Sequence, residues 1–223
     1  MTGIDTPPAS SNGHGPDTWW QTWRHLRVDR RNTGYCRVTF AHPPVNTVTA
    51  TTVAELAEVV ELIEHDGDLN VVVFASANPD VYLADRDVER DSARWLDALA
   101  HLARAPVVSI AAIRGRAGGA GSELALACDL RFASRENTRL GPPAGSGPGA
   151  TLSRLVGRGR ALEILLGGDC DGPRAEQYGY VNRTIPDARL DDAIEALAAR
   201  LAGFDHDAIG HVKSYVDRLT PLG

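Results

Sequence analysis

The chain of 223 residues lacks the features that would link it to a membrane, a metal or a nucleic acid. No apolar run approaches the ~18 residues that a membrane-spanning helix needs, so we expect no transmembrane segment. The seven histidines show no HxxxH or HxH spacing, which argues against a metal site. The net charge is −6, which argues against a general nucleic-acid binder, because such proteins carry a clustered basic face.

Cysteine pairs and the common nucleotide and nucleophile motifs are also missing. Cys36, Cys128 and Cys170 lie far apart and form no CxxC pair and no disulfide framework. We therefore expect a reducing compartment and a cytoplasmic protein. The chain contains no GxSxG elbow, no GxxxxGK[ST] loop and no GxGxxG fingerprint. These absences disfavour serine hydrolases, NTPases and nicotinamide enzymes.

The N-terminal residues differ from the rest in composition. Residues 1–18 are rich in Gly, Pro, Ser and Thr and predict a disordered tail. They lack the basic start and apolar core of a signal peptide. Residues 19–223 are predicted to form one domain, which is long enough to bury a sizeable core. Three indoles near its start, Trp19, Trp20 and Trp23, are expected to lie against the domain or a partner subunit.

Hydrophobic patterns along the domain alternate between strand and helix, which predicts an α/β fold. A continuous apolar run at 71–75 indicates a strand that is buried on both faces. The other predicted strands are 26–29, 35–40, 107–113 and 180–185. The predicted helices are 51–64, 88–104, 149–156, 158–166, 173–178, 190–201 and 206–219. Residues 76–85 and 134–148 are predicted to be loops.

The most informative stretch covers residues 107–133 and predicts a strand, a glycine-rich turn, a short helix and a second strand. The turn contains four glycines, Gly115, Gly118, Gly119 and Gly121. Glycine permits positive φ and close backbone approach, and a helix start presents N–H groups that favour negative charge. Glu123 is therefore a candidate acid/base beside an oxyanion site. A tight structural turn with a solvated glutamate fits this segment equally well.

The order of motifs along the chain resembles the enoyl-CoA hydratase/isomerase superfamily, the crotonases. The resemblance covers roughly residues 26–219 and rests on HPPVNTVT, VVVFAS with ADRDV, PVVSIAAIRGRAGGAGSELALACDLRFAS, RALEILLGG and AEQYGYVNRTIP. The third segment is the most specific, because the family pattern is N-G-x-A-x-G-G-G-x-E-L-A-x-x-C-D-x-x-x-A. The residues that match it are Gly115, Ala117, Gly119, Gly121, Glu123, Leu124, Ala125, Cys128 and Asp129.

This resemblance implies a spiral of repeated ββα units with shortened C-terminal helices, usually assembled as a homotrimer or a dimer of trimers. It also implies an acyl-CoA or carrier-bound thioester as substrate, no cofactor, and an enolate held by two backbone N–H groups. By position these donors are Arg86 and Ala120, and Glu123 acts as the single acid/base. The implied substrate-binding residues are Ala84, Asp87, Val88 and Gly119.

Two departures from the family pattern leave the reaction open. The common A-G-A-D-[LI] motif reads ADRDV at 84–88, which puts an arginine where it could contact a CoA phosphate or a substrate carboxylate, or simply stay solvated. The glutamate that hydratases carry after a proline corresponds to Ala144, and no acid occurs between Glu136 and Glu163. We expect hydratase-like, isomerase or hydratase-lyase chemistry at a C–C bond. The alternative is a non-catalytic crotonase-like binding or assembly subunit.

Overall fold

The computed structural model describes residues 23–86, 92–144 and 146–219, so the predicted tail at 1–18 lies outside the described residues. The strands are β1 (Leu26–Asn32), β2 (Tyr35–Phe40), β3 (Thr47–Val48), β4 (Val71–Ser76), β5 (Val81–Arg86), β6 (Val108–Ile113), β7 (Arg116–Ala117), β8 (Leu130–Ser134), β9 (Arg139–Leu140), β10 (Cys170–Asp171) and β11 (Arg183–Ile185). The helices are α1 (Ala50–His65), α2 (Ser92–Arg104), α3 (Ala120–Ala127), α4 (Ser146–Val156), α5 (Arg158–Gly167), α6 (Gly172–Tyr178), α7 (Leu190–Ala202) and α8 (His206–Leu219).

Consecutive strand–strand–helix units build most of the domain. They are β2–β3–α1, β4–β5–α2, β6–β7–α3 and β8–β9–α4, and the first strand of each joins one sheet while the second joins another. The larger sheet has the order β1-β2-β4-β6-β8-β11 and is parallel except for the β1–β2 hairpin. The smaller sheet has the order β10-β9-β7-β5-β3, with β10 antiparallel to β9. The predicted α/β fold of ββα repeats is therefore confirmed.

Strand β4 shows why the continuous apolar run is needed. Val72 and Phe74 pack into the larger apolar cluster, whereas Val71 and Val73 pack into a second cluster on the other side of the sheet. Ile194 of α7 belongs to that second cluster. Since side chains alternate along a strand, an element with a cluster on each face must be apolar at every position. The prediction of a doubly buried strand is confirmed.

Helix α1 begins with a reciprocal cap made by two threonines. The Thr49 hydroxyl accepts from the Thr52 backbone N–H, and the Thr52 hydroxyl accepts from the Thr49 N–H. The buried carboxylate of Glu55 accepts backbone N–H bonds from residues 24–26, at 2.7, 2.9 and 3.1 Å. This glutamate therefore fixes the start of β1 against α1. The helical spacing of the apolar residues predicts that Glu55 lies off the buried face, and that prediction is wrong.

The prediction of loops at 76–85 and 134–148 is wrong in part. The first range contains most of β5, whose Tyr82 and Leu83 are buried, and the second contains β9 and the start of α4. Strands β3, β7, β9 and β10 are each two residues long, so they are too short to show an alternating pattern. They exist because each one pairs with its neighbour in the smaller sheet, which is a non-local cause.

Lys213 is a main polar anchor of the last helix. The Lys213 ammonium of α8 donates to the carbonyl oxygens of Ala105 and Val107, each at 2.8 Å, and to Asp129 Oδ2 at 3.0 Å. All three N–H bonds of the amine are thereby used, and the side chain is mostly buried. Ile209 is the buried apolar residue of the same helix. Lys213 therefore supplies much of the polar contact that holds α8.

Candidate active site

The glycine-rich turn is held between two short parallel strands and the start of α3. Gly141 N–H donates to the Ala117 carbonyl at 2.8 Å, and Gly119 N–H donates to the Pro142 carbonyl at 2.8 Å. Gly119 caps α3 with φ 49° and ψ −116°, a conformation that side chains essentially exclude. The predicted order of strand, glycine turn, helix and strand is confirmed, with the addition of β7 inside the turn.

Ser122 fastens the first turn of α3 to the loop after β9. Its buried hydroxyl lies 3.0 Å from the Ala117 carbonyl oxygen and 2.7 Å from that of Gly141, and it donates toward both. No sequence pattern predicts this role, because the matching position of the family pattern is variable. The side chain locks the glycine turn from within the helix.

Ala120 begins α3, directly after the Gly119 cap. The N–H groups of Gly121 and Glu123 donate to the carbonyls of Gly118 and Gly119, at 2.9 and 3.0 Å. The Ala120 N–H precedes the first position that has an intrahelical acceptor, and no carbonyl in the described ranges accepts from it. It therefore projects from the positive end of the helix dipole, where an anionic oxygen is favoured.

The C-terminal end of β5 lies against this helix start. A Cβ placed on Gly121 would lie 2.9 Å from the Leu83 carbonyl oxygen, so the two backbones approach too closely for a side chain. Arg86 is the last residue of β5 and is paired with Val48 of β3. The two predicted oxyanion donors, Arg86 and Ala120, thus belong to elements that touch each other.

The predicted substrate-binding residues are only partly within the described chain. Ala84 lies half-buried in β5, where its N–H donates to the Asn46 carbonyl at 3.2 Å as part of the sheet. Gly119 lies at the cap of α3, next to the Ala120 N–H. Asp87 and Val88 lie outside the described residues.

Glu123 is buried, with 1% of its surface exposed, in the first turn of α3. Its Oε2 accepts a hydrogen bond of 2.8 Å from Nε1 of Trp95, a fully buried residue of α2. Burial of a carboxylate is costly unless hydrogen bonds compensate, and a bond to an ionised acceptor is stronger than a neutral one. The expectation that this glutamate could be solvated is therefore wrong.

Trp95 was not identified as a site residue from the sequence. The pattern of α2 indicated only that it faces the core with Leu99 and Leu102, and all three are buried. One signal was available, because a buried indole N–H usually finds an acceptor. The structure shows that this acceptor is the Glu123 carboxylate.

Other titratable groups around the turn are held in their neutral forms. Burial raises the pKa of the Cys128 thiol to about 12 and that of the Tyr180 hydroxyl to about 12. The Tyr180 hydroxyl also donates toward the Gly141 carbonyl at 3.4 Å. Neither group can accept a proton as an anion near neutral pH. Among the residues described around the turn, Glu123 is therefore the best candidate for proton transfer.

Ala144, which the resemblance places at the second hydratase acid, is exposed. One carboxylate does approach this loop, since Asp169 Oδ1 would lie 2.9 Å from a Cβ placed on Gly141. Asp169 is, however, paired with Arg116 at 3.2 Å. Residues 141–144 after β9 therefore carry no carboxylate of their own.

The described part of the chain also yields no metal centre and no membrane span. No group of three or more His, Cys, Asp or Glu side chains there could hold a metal ion. No helix in the same part is both long enough and apolar enough to cross a membrane.

Comparison with known proteins places these observations in a family. The model of the enoyl-CoA hydratase/isomerase family matches residues 30–221. The Rhizobium meliloti (strain 1021) protein named probable enoyl-CoA hydratase is 30% identical over 196 residues, which cover 80% of this chain and 75% of that protein. The fatty acid oxidation complex subunit alpha of Vibrio parahaemolyticus is 30% identical over 188 residues, which cover 75% of this chain. The chain spans 27% of the length of that much longer subunit.

Solved structures agree with the sequence comparison. A candidate enoyl-CoA hydratase from Streptomyces avermitilis superposes with a TM-score of 0.84 at 38% identity, covering 90% of this chain and 80% of that one. An enoyl-CoA hydratase from Geobacillus kaustophilus HTA426 gives a TM-score of 0.80 at 28% identity, covering 86% and 80%. The family match, the ββα repeats and the glycine turn with its buried glutamate agree, and the chain belongs to the enoyl-CoA hydratase/isomerase family.

Proposed function

We propose that the chain processes acyl-CoA or carrier-bound thioesters through an enolate, with Glu123 as the single acid/base. The backbone N–H groups of Arg86 and Ala120 would hold the enolate oxygen. One observation carries this proposal: the first turn of α3 holds both the buried Glu123 carboxylate and the Ala120 N–H, from which no carbonyl in the described ranges accepts. The names of the family's relatives support a CoA thioester as the substrate class.

The proposed chemistry follows from what a thioester needs. Removal of a proton from the α-carbon moves negative charge onto the carbonyl oxygen, and a helix N-terminus is a favourable place for that charge. Loss of one oxyanion donor typically costs about 3 kcal/mol of transition-state stabilisation. A carboxylate three residues after the Ala120 donor can address the carbon next to the bound carbonyl. Glu123 would take the α-proton and later return it.

The absence of a second acid restricts the reactions that the proposed site could catalyse. A positioned acid or base typically contributes about 10²–10⁴-fold to a rate, so hydration that relies on two carboxylates should be slow here. Proton transfer at the α-carbon needs only Glu123. Hydratase-like, isomerase and hydratase-lyase reactions all contain this step. Ala144→Glu is expected to speed the hydration of a short enoyl-CoA if the missing carboxylate limits that reaction.

The test is deuterium exchange at the α-carbon of saturated acyl-CoA esters, such as butyryl-CoA, in D₂O. Mass spectrometry should show incorporation catalysed by the wild type and at least a ~10²-fold loss in Glu123→Gln. Calorimetric binding of the ester should persist in that variant, because the amide keeps the shape of the side chain. Glu58→Gln, at an exposed position of α1, is the matched control. Full exchange by Glu123→Gln would refute the assigned role.

A non-catalytic binding or assembly subunit is the second candidate, and the exposed Ala144 at the second acid position favours it. In that case the wild type would bind CoA esters but would exchange no α-proton of butyryl-CoA and would turn over no enoyl, hydroxyacyl, malonyl or aryl-propenoyl thioester. For either function we propose a cytoplasmic homotrimer or dimer of trimers. Light scattering coupled to size-exclusion chromatography would test this assembly.

A further inference from the structure

We infer that Trp95 is the positioning residue for Glu123, and that its indole N–H fixes the carboxylate which transfers the α-proton. This inference rests on the proposed function, since it assigns a purpose to a contact within the same site. It concerns a residue that touches the acid/base and acts through it. The contact joins α2 to α3, which come from consecutive ββα units.

The geometry of the contact is that of a strong hydrogen bond. Trp95 Nε1 lies 2.8 Å from Glu123 Oε2, and both side chains are almost fully buried. An N–H donor at this distance from a carboxylate oxygen falls in the range of charge-assisted bonds. In a buried setting such a bond is stronger than it would be in water. The bond therefore fixes one oxygen of the carboxylate on the α2 side of the site.

An indole ring suits this positioning role because its N–H group cannot take up a proton. Its Nε1–H only donates, so it can hold a carboxylate but cannot take the proton that the carboxylate must receive. A histidine at the same place could exchange protons with Glu123, and a lysine or arginine would stabilise the ionised carboxylate with a full charge. The tryptophan orients the base without competing for its proton.

Orientation matters because the carboxylate has a soft terminal torsion. Rotation about the last side-chain bond of glutamate is broad, so the buried position alone does not fix where its oxygens point. Displacement of a reacting group by about 1 Å can cost on the order of 10²-fold in rate. Loss of the Trp95 bond should therefore slow proton transfer while leaving the thioester-binding groups in place.

The kinetic test compares Trp95→Phe with Trp23→Phe. The second variant is a matched control, because Trp23 Nε1 also donates to a carboxylate, that of Glu58, at 3.4 Å on an exposed part of the chain. In α-proton exchange, Trp95→Phe should lower kcat about 10–100-fold with KM changed less than about 3-fold. Trp23→Phe should match the wild type in both constants. A Trp95→Phe protein with wild-type kcat would overturn the inference.

A spectroscopic test needs neither activity nor a folded Trp95 variant. In ¹H–¹⁵N spectra of the wild type, the Trp95 indole N–H should resonate at low field because it donates to a carboxylate. In Glu123→Gln this signal should move upfield, since the acceptor becomes a neutral amide, while the Trp23 signal stays in place. Glu58→Gln should move the Trp23 signal instead. If the chemical shift of the Trp95 indole N–H does not change in Glu123→Gln, the contact is contradicted.

The two tests separate the inference from the proposed function. If the wild type exchanges α-protons and Trp95→Phe does so equally well, the proposed function stands and the positioning role fails. If the wild type exchanges none while the indole signal responds to Glu123→Gln, the contact stands and the proposed function fails. A slow Trp95→Phe that keeps its KM and its unfolding midpoint, together with the responsive signal, supports both.

Discussion

Gly121 sets how closely α3 approaches β5, and its replacement by alanine should damage the site more than the fold. The added Cβ would lie 2.9 Å from the Leu83 carbonyl oxygen, 3.3 Å from Leu83 Cβ and 3.4 Å from Ala117 Cβ. Overpacking of this kind costs about 1–3 kcal/mol, whereas alanine in a helix gains at most ~1 kcal/mol over glycine. We therefore expect a net loss of ~1–2 kcal/mol in the free energy of unfolding.

The same substitution should have a larger effect on activity. With the added Cβ, the Leu83 carbonyl oxygen and the backbone of residue 121 cannot both keep their positions. The start of α3 must therefore move away from β5 by a few tenths of an ångström or more. Because the proposed donors Arg86 and Ala120 lie on these two elements, α-proton exchange should fall by roughly 10²-fold. Urea unfolding and the exchange assay measure the two effects separately.

Gly159→Ala in α5 is the control for this comparison, because nothing lies within 4 Å of its added Cβ. It should be neutral or stabilising by up to ~1 kcal/mol, with unchanged exchange. If Gly121→Ala behaves like Gly159→Ala in both assays, the close approach of β5 to α3 is not a requirement of the site. The argument from this backbone contact would then be refuted.

Further perturbations test three other parts of the structure. Lys213→Met should lower the free energy of unfolding by about 2–4 kcal/mol, because Asp129 loses its mostly buried cation. Amide hydrogen exchange in α8 should become faster, and an unchanged amide exchange rate would contradict the role of Lys213 in attaching α8. Ser122→Ala should cost ~1–2 kcal/mol in urea unfolding, as two buried carbonyls lose their shared donor, and a wild-type midpoint would contradict this. Burial and the stacked His42 lower the pKa of His25 from 6.5. The contribution of His25 to stability should therefore be fully present above pH 6.5 and be lost as the pH falls through the lower pKa of the folded state. His42→Gln should raise the pKa of His25 in an NMR titration of its ring protons, and a fall would exclude the stacked ring as a cause.

The elements that sequence patterns predicted are those whose burial is expressed locally. Residues 71–75 are apolar at every position because the strand has a cluster on each face, and that pattern can be read without knowing the partners. The helix at α1 was recognised for the same reason, since its buried face recurs at helical spacing. In both cases the spacing of apolar residues along the chain is enough to predict the element.

The elements that were missed depend on distant partners. Tyr82 and Leu83 of β5 are buried because α3 and the neighbouring short strands cover them, while the Asn-Pro-Asp segment before them is typical of a loop. Helical spacing places Glu55 off the buried face of α1, yet it accepts three backbone N–H bonds from residues 24–26, at the start of β1. Neither feature follows from a local pattern.

The residues of the candidate site also differ in whether a local pattern could predict their positions. The placement of Ala120 and Glu123 on a helix start could be argued from the glycine turn, because consecutive residues fix it. The bond from Trp95 joins residues that are 28 positions apart, and a helical pattern could only place the indole in the core. Ser122 is similar, since its acceptor Gly141 comes from a loop that the sequence left irregular. What sequence reasoning lacked was the contact between consecutive ββα units.

The asymmetry between Glu123 and Ala144 limits which reactions one site can run. A single base that removes an α-proton becomes the acid that must return it, so the proton should leave and arrive on one face of the enolate. Proton exchange, a suprafacial shift or cleavage next to the α-carbon meets this condition with Glu123 alone. Hydration also requires a water to lose a proton, and no carboxylate follows Pro143 to accept it. If Glu123 acts alone, a substrate labelled stereospecifically at the α-carbon should therefore lose its label from only one face.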